Sequence, residues 1–518
     1  MTSDVDNAHP PEVGRPHGGQ GAVRGATIIL ASKIIALGVS FGTIAIVARQ
    51  LTPEDYGIVA MVTSVTALFL VFSDMGLSLV VVQRPQITPE QLSTLFWLNV
   101  AFGVLLGFVT AGLAPLLAWF YGEPRLIAIA LLLAPMFPIL TLGLQHQALL
   151  KRHMKFMRLA IVRLSGTTGG ALVAIVLALT GFGYWALVWQ LMAYVTTQTL
   201  VAFMAWRWVP GKPTRCQDLG SMLGFGGSLT AHGLVGYLAA NVDKILLGRC
   251  WGPVVLGLYA NAFNLMTSPI QLAAHSVGEA AVPAMSRAAD TPGGMVAAYR
   301  RTFTLTCLLG LPACVVGILW ADDVVLTLFG PRWVDAIRIL QWLFVAAVPR
   351  MLIASTGWVY IATARPVRML VWALIWSPLV IAAFVIGLPQ GAIGVAVALA
   401  TAYWIAIAPA FAYCFKGTEF RAAHVLKPAI APLASAFVAA AVAMGVQHLV
   451  LPGLEAGVVR LIVRSALFAV IYGPLVVRFV PLAGEGFERL KRKLKSKRMD
   501  RAVLSGVDTI NTHTTEVR

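Results

Sequence analysis

The sequence predicts an all-α polytopic membrane protein of about fourteen transmembrane helices, arranged as two six-helix lobes related by a parallel repeat plus a final helix pair. Three observations carry this expectation. Apolar stretches of roughly 20 residues, enough to cross a hydrocarbon core about 30 Å thick, recur along the chain. Lys and Arg crowd every second gap between them. A short Arg–Pro–Gly pattern also occurs twice, six helices apart.

Composition agrees with the class. The 518 residues are 58% hydrophobic and 12% charged, where a soluble domain carries about 25% charged residues. The net charge of +17 does not indicate a nucleic-acid partner. About ten cations lie in the tail from Arg478 onward, most others sit in short loops, and no stretch resembles a nucleic-acid-binding module. The basic balance is read as topology plus attraction to anionic lipid headgroups. Five scattered cysteines (Cys216, Cys250, Cys307, Cys314, Cys414) form no CxxC pair, so neither a metal site nor a disulfide framework is expected. The chain lacks GxxxxGK[ST], and no gap exceeds about 25 residues. No cofactor, catalytic centre or ATPase domain is expected. Active transport would have to draw on an ion gradient, the membrane potential or the substrate gradient.

Residues 1–23, rich in Gly, Pro and polar side chains, are expected to form a disordered cytoplasmic leader, not a signal peptide, because no apolar run precedes a cleavage site. Helices are expected at 24–48, 57–82, 93–118, 126–149, 158–180 and 182–206, the N-terminal lobe (24–206). The C-terminal lobe (220–414) continues with 220–248, 254–278, 301–320, 337–362, 367–387 and 391–414. Segments 427–448 and 458–478 form the last pair (427–480). With the termini, the even-numbered gaps hold about 28 Lys and Arg, against about four in the odd gaps, so both ends are expected in the cytoplasm. The tail (481–518) is strongly basic. Phe487, Leu490 and Leu494 fall on one helical face there, which suits a helix lying on the inner leaflet; the alternative is a solvated basic tail.

The repeat rests on Arg49-Gln-Leu-Thr-Pro53-Glu-Asp-Tyr-Gly57 after helix 1 and Arg249-Cys-Trp-Gly-Pro253-Val-Val-Leu-Gly257 after helix 7. Arg, Pro and Gly recur at the same offsets, and the following helices end alike, in stretches that run from Gly76 to Arg84 and from Gly278 to Arg287. Six helices is an even number, so the two copies run the same way through the membrane, with a pathway expected between them.

Together with Ser73-Asp-Met-Gly-Leu-Ser78, Val82-Gln-Arg84, Asn241-Val-Asp-Lys-Ile-Leu-Leu-Gly-Arg249 and Leu256-Gly-Leu-Tyr-Ala-Asn-Ala-Phe263, these motifs resemble the Wzx-type polysaccharide-unit flippases of the multidrug/oligosaccharidyl-lipid/polysaccharide exporter superfamily, the branch that includes colanic-acid and lipopolysaccharide exporters. The resemblance runs from about residue 24 to 480. It implies a lateral-access cavity between two six-helix lobes. It also implies translocation of undecaprenyl-diphosphate-linked oligosaccharides across the bacterial inner membrane, for exopolysaccharide, capsule or lipopolysaccharide synthesis. Implied partners are the lipid-linked glycan, membrane lipids, and a polysaccharide polymerase with its export machinery.

Ionisable residues within spans cost roughly 2.5–3.5 kcal/mol each on insertion scales and mark candidate sites. Lys33 and Arg350 lie deep in helices 1 and 10, and Lys244 lies near the outer end of helix 7. These three are the candidates for a cationic lumen that guides an anionic diphosphate. The alternative for Lys33 is a structural pair with a carboxylate such as Asp74. For Arg350 it is satisfaction of carbonyls freed by Pro349. Asp74, His232 and Asp243 are the candidates for coupling or gating, set against helix capping for Asp74 and structural burial for His232. Asp243 and Lys244 point about 100° apart on a helix, so each needs its own partner. Arg163 and Arg464, near helix ends, are expected to snorkel to the interface.

Two alternatives to the leading function remain. One is a lipid II flippase or drug exporter of the same superfamily. The other is a membrane glycan polymerase or ligase, which would need a sizeable outer loop. The longest outer gap, around Ala321 to Ala336, carries an acidic doublet, Asp322-Asp323, expected to be solvated.

Overall fold

A computed structural model describes residues 19–84, 86–214, 219–450 and 457–480. The early leader and the basic tail lie outside the described residues. The described secondary structure is helical throughout, and eleven helical stretches are long and apolar enough to cross a membrane. Apolar side chains such as Phe108, Trp119 and Leu172 stand exposed on them, as lipid-facing surface requires. Contacts divide the chain into two units, residues 1–238 and 239–518.

The first unit contains α1 (Gly19–Gln50), α2 (Pro53–Ser73), α3 (Leu77–Gln83), α4 (Pro89–Tyr121), α5 (Arg125–Leu133), α6 (Met136–Arg152), α7 (Phe156–Leu179) and α8 (Trp185–Ala205). Two of these starts use the same local chemistry. Thr52 and Thr88 each cap a helix that opens on proline, and Asp55 and Gln91 complete reciprocal capping boxes. Two expected helices are interrupted. The expected 57–82 segment breaks after Ser73, where Met75 and Gly76 take left-handed conformations (φ 43° and 66°). The expected 126–149 segment breaks at Ala134–Pro135, because proline donates no backbone N–H. Small residues let the helices meet. A side chain at Gly107 would lie 2.9 Å from the Ala134 carbonyl, and one at Gly170 would lie 2.9 Å from that of Gln190.

The second unit contains most of α9 (Leu219–Arg287), which bends at Gly252, followed by α10 (Gly294–Leu319), α11 (Ala321–Leu328), α12 (Ala336–Ala354), α13 (Thr356–Ala362), α14 (Pro366–Gly387), α15 (Gly391–Phe415), α16 (Ala423–Val450) and α17 (Val458–Phe479). Helix α12 packs on α10 and α15, and α16 packs on α10 and α17. Trp320 is wholly buried, clustered with Ala436, Ala440 and Ala443. The expected helices 220–248 and 254–278 are joined without a loop. Gly252 alone (φ 78°, ψ −175°) turns the chain, in a region open essentially only to glycine.

Contacts between gaps follow the parity read from the cations. In the first unit, Arg152 at the end of α6 donates to the carbonyls of Val81 and Arg84 at the end of α3, at 2.6 and 2.7 Å. Trp97, near the start of α4, donates to Gly211 beyond α8. At the opposite ends, Arg125 bonds Glu54 and Glu123, each at 2.7 Å. In the second unit, Arg365 and Arg368 before α14 donate to the carbonyls of Lys416 and Gly417 after α15. At the opposite end, Trp251 at the α9 bend donates to Leu388. Each contact joins two even gaps or two odd gaps.

The last pair of helices brings two corrections. Asp323 is not solvated: it is 0% exposed and accepts from Arg460 at 2.5 Å and Arg464 at 2.6 Å. Arg464 therefore does not snorkel; it is held by Asp323 and Gln447. Arg460 and Arg464 are four residues apart, so both fall on one face of α17 and reach the same carboxylate. Asp322 receives the second nitrogen of Arg460.

Breaking a buried pair from one side strands the remaining charges. Asp323→Ala is expected to cost about 3–5 kcal/mol, read as a lower unfolding temperature in detergent. The same assay should show only about 1 kcal/mol for Arg125→Ala, since Arg125 itself is exposed and so is its Glu54 partner. Arg125 also holds the Glu123 carboxyl below the usual carboxylate range by hydrogen bonding it. A depressed carboxylate keeps its contribution until pH falls through its own lowered value. Carboxyl NMR should show Glu123 titrating below an unperturbed glutamate, and Arg125→Ala should move its titration upward.

Candidate functional site

The bend at Gly252 folds one arm of α9 against the other. The first arm carries Asn241, Asp243 and Lys244, and the second carries Tyr259 and Phe263. One turn apart, Tyr259 and Phe263 lie on the same helical face, with ring centres 5.9 Å apart. Asp243, 1% exposed, accepts from the Tyr259 hydroxyl at 2.7 Å and from the Lys244 backbone N–H at 2.8 Å. A buried carboxylate needs such donors, since ionised groups are otherwise excluded from apolar surroundings. The Lys244 ammonium turns the other way. It donates to Asn241 at 2.9 Å and stands 4.6 Å from the Phe263 ring centre. The two adjacent charges thus have separate partners, as helical geometry requires.

Arg350 reaches the same ring from α12, with its guanidinium 5.3 Å from the Phe263 centre. The aromatic face attracts both cations, a contact worth about 0.5–2 kcal/mol each depending on solvation. Pro349 beside it lacks an N–H and so releases the carbonyl of Val345 one turn back. Trp404 of α15 takes that carbonyl at 3.1 Å. Arg350 is therefore not needed to repair the helix break. Among the described residues its guanidinium has the Phe263 ring and no hydrogen-bond acceptor. A half-buried guanidinium with five donors of fixed geometry, beside an ammonium with donors to spare, is suited to an anion with several oxygens. The nearby carboxylate does not compete, because Tyr259 and the backbone hold it.

Of the sequence candidates, the structure brings together Lys244, Arg350 and Asp243. Lys33 and Asp74 belong to the first unit. Lys33 is half-buried on α1. Asp74 stands at the break after α2 and accepts from the backbone N–H and hydroxyl of Ser78 at 3.0 and 2.5 Å, capping the start of α3. The side chain of His232 lies outside the described residues. Tyr259, Phe263 and Asn241 escape a search for charges. Their signal is spacing: Asn241 precedes Lys244 by three residues, and Phe263 follows Tyr259 by four.

Tyr259→Phe removes the hydroxyl from a buried carboxylate and is expected to cost about 1–3 kcal/mol. Phe263→Leu keeps an apolar side chain but removes the ring under both cations, and should cost about 0.5–2 kcal/mol. Thermal unfolding of the detergent-solubilised chain measures both.

A family described as polysaccharide biosynthesis protein matches residues 46–338. The chain is 28% identical over 312 residues to the teichuronic acid biosynthesis protein TuaB of Bacillus subtilis (strain 168), covering 58% of this chain and 62% of TuaB. It is 25% identical over 380 residues to the lipopolysaccharide biosynthesis protein WzxC of Escherichia coli (strain K12), covering 72% of this chain and 76% of WzxC. Among solved structures, the lipid II flippase MurJ in an inward closed conformation matches with a TM-score of 0.68 at 14% identity, over 88% of this chain and 99% of MurJ. An inward-facing multidrug resistance transporter of the MATE family matches at 0.60 and 14% identity, over 76% of this chain and 100% of that one. These likenesses show a shared transporter-type fold. The matched family covers more than half of the residues, and the chain is a member of this polysaccharide biosynthesis protein family of integral membrane proteins.

Proposed function

We propose that the chain is a flippase that carries undecaprenyl-diphosphate-linked oligosaccharide repeat units across the bacterial inner membrane by alternating access. It would serve exopolysaccharide, capsule or lipopolysaccharide synthesis. Family membership and the names of the relatives support the pathway. The observation that carries the substrate class is the Lys244–Arg350 pair on the Phe263 ring, with no hydrogen-bond acceptor for Arg350 among the described residues. That charge arrangement suits a diphosphate. It disfavours a cationic drug, which would need an accessible carboxylate where Asp243 is buried and bonded to Tyr259. Lys33 is proposed as a third cation on the path, and Asp243, Asp74 and His232 remain the groups proposed for coupling or gating.

The topology proposed with this function has fourteen spans, both termini in the cytoplasm, and two parallel six-helix repeats followed by α16 and α17. The parity of the inter-gap contacts supports the alternation. The repeat is supported by matching local roles: Pro53 and Pro253 each open a helix, Gly57 and Gly257 are both buried, and Arg49 and Arg249 are both exposed.

The test is translocation of a labelled polyprenyl-diphosphate sugar in proteoliposomes with imposed ion gradients or membrane potential. Protein-dependent movement between leaflets is expected, and its absence would sink the proposal. Lys244→Ala and Arg350→Ala should each slow translocation roughly 10- to 100-fold, the range set by loss of one charge-assisted hydrogen bond. Lys33→Ala is expected to act in the same direction. Unchanged rates at equal protein abundance would remove these residues from the path.

A further inference from the structure

A second basic site lies away from Phe263, where three helix ends converge. Helices α10 and α16 begin there and α17 ends there. Between them is a cavity of about 390 Å³ lined by Arg300, Arg301, Lys427, Pro428, Pro432 and Phe479. We propose that this cavity binds an anionic phospholipid of the membrane, with the headgroup phosphate among the three cations and an acyl chain along the prolines and Phe479.

Depth and order carry the argument. Arg300 lies six residues into α10 and Lys427 four residues into α16, so both stand about 6–9 Å below the helix starts. That is headgroup depth for helices that begin at the interface. The apolar residues line the same cavity, as a phospholipid's own polarity demands. In the same unit, Arg365 and Arg368 are already engaged by backbone carbonyls. Among the described residues, no carboxylate pairs with Arg300, Arg301 or Lys427. The starts of two helices add their positive ends, and α10 has no side-chain cap on its first N–H groups. Basic pockets between transmembrane helices are suited to anionic headgroups. An occupant would bridge α10 to α16 and to the end of α17, fastening the last helix pair from this side as Asp323 does at the other ends.

The experiment uses the full chain in phosphatidylcholine vesicles containing a trace of photoreactive phosphatidylglycerol or photoreactive phosphatidylcholine. Cross-links to segments 294–319 and 423–450 are quantified by mass spectrometry. The phosphatidylglycerol probe should label these segments about fivefold or more above the phosphatidylcholine probe. The triple variant Arg300→Gln, Arg301→Gln, Lys427→Gln should bring the two probes level. Ala431 also lines the cavity, and Ala431→Trp, which keeps every cation but fills the space, should likewise reduce the preference. Equal labelling by both probes in the unmodified chain would overturn the site, as would a preference that survives either variant. Binding of labelled inorganic phosphate to the chain that excess phosphatidylglycerol does not displace and that the triple variant abolishes would overturn the lipid assignment in favour of a soluble anion. The comparison of probes decides the matter even if a variant fails to fold.

Discussion

Backbone carbonyls at helix ends and helix breaks govern this structure. Hydrocarbon supplies no donor, so a chain that must start, stop or kink near it has to provide one from its own side chains. Here Arg and Trp do so. Arg152 closes the end of α3, Arg365 and Arg368 close the turn after α15, Trp404 serves the carbonyl freed by Pro349, and Trp251 serves Leu388. Long cationic and indole side chains reach such carbonyls while their apolar bodies stay against the helices. The same arginines whose alternation the sequence uses to predict topology thus also tie one loop to its neighbour. Topology and local stability have one chemical origin.

Against this background the unsatisfied groups stand out. Arg350 follows Pro349 within α12 yet, among the described residues, serves no carbonyl, and Lys244 keeps donors beyond its bond to Asn241. Asp323 and Asp243 show the opposite condition, buried carboxylates held by donors. Asp323 uses its arginines to join α17 to α11. Asp243 is held by a phenol and a backbone N–H, and the neighbouring cations lie close to it without bonding it directly. That contrast separates charge used for architecture from charge available to a ligand.

Much of this is legible in the sequence, because twenty-residue apolar stretches and alternating basic gaps express one constraint each. The charges Lys244 and Arg350, one near a helix end and one deep in its span, are legible for the same reason: lipid would not tolerate them without a partner. What escapes is whatever depends on a distant side chain. Asp322-Asp323 reads as a loop until Arg460 and Arg464 are seen on one face of α17. Ser73-Asp-Met-Gly reads as helix interior, since a left-handed Met75 has no compositional sign. Phe263 closes a motif in the sequence without any assigned role until two cations from different helices converge on its ring.

Gly252 has a mechanical consequence. A single residue forms the whole joint between the arms of α9, with no slack to absorb a change of angle. The Tyr259–Asp243 bond and the Lys244–Phe263 contact both straddle that joint. Any rotation there must stretch one or both, and any anion that draws Lys244 off the ring must bear on the joint in return. The charged cluster therefore works as a gauge of the angle between the arms, geared by one glycine that no other residue could replace without strain.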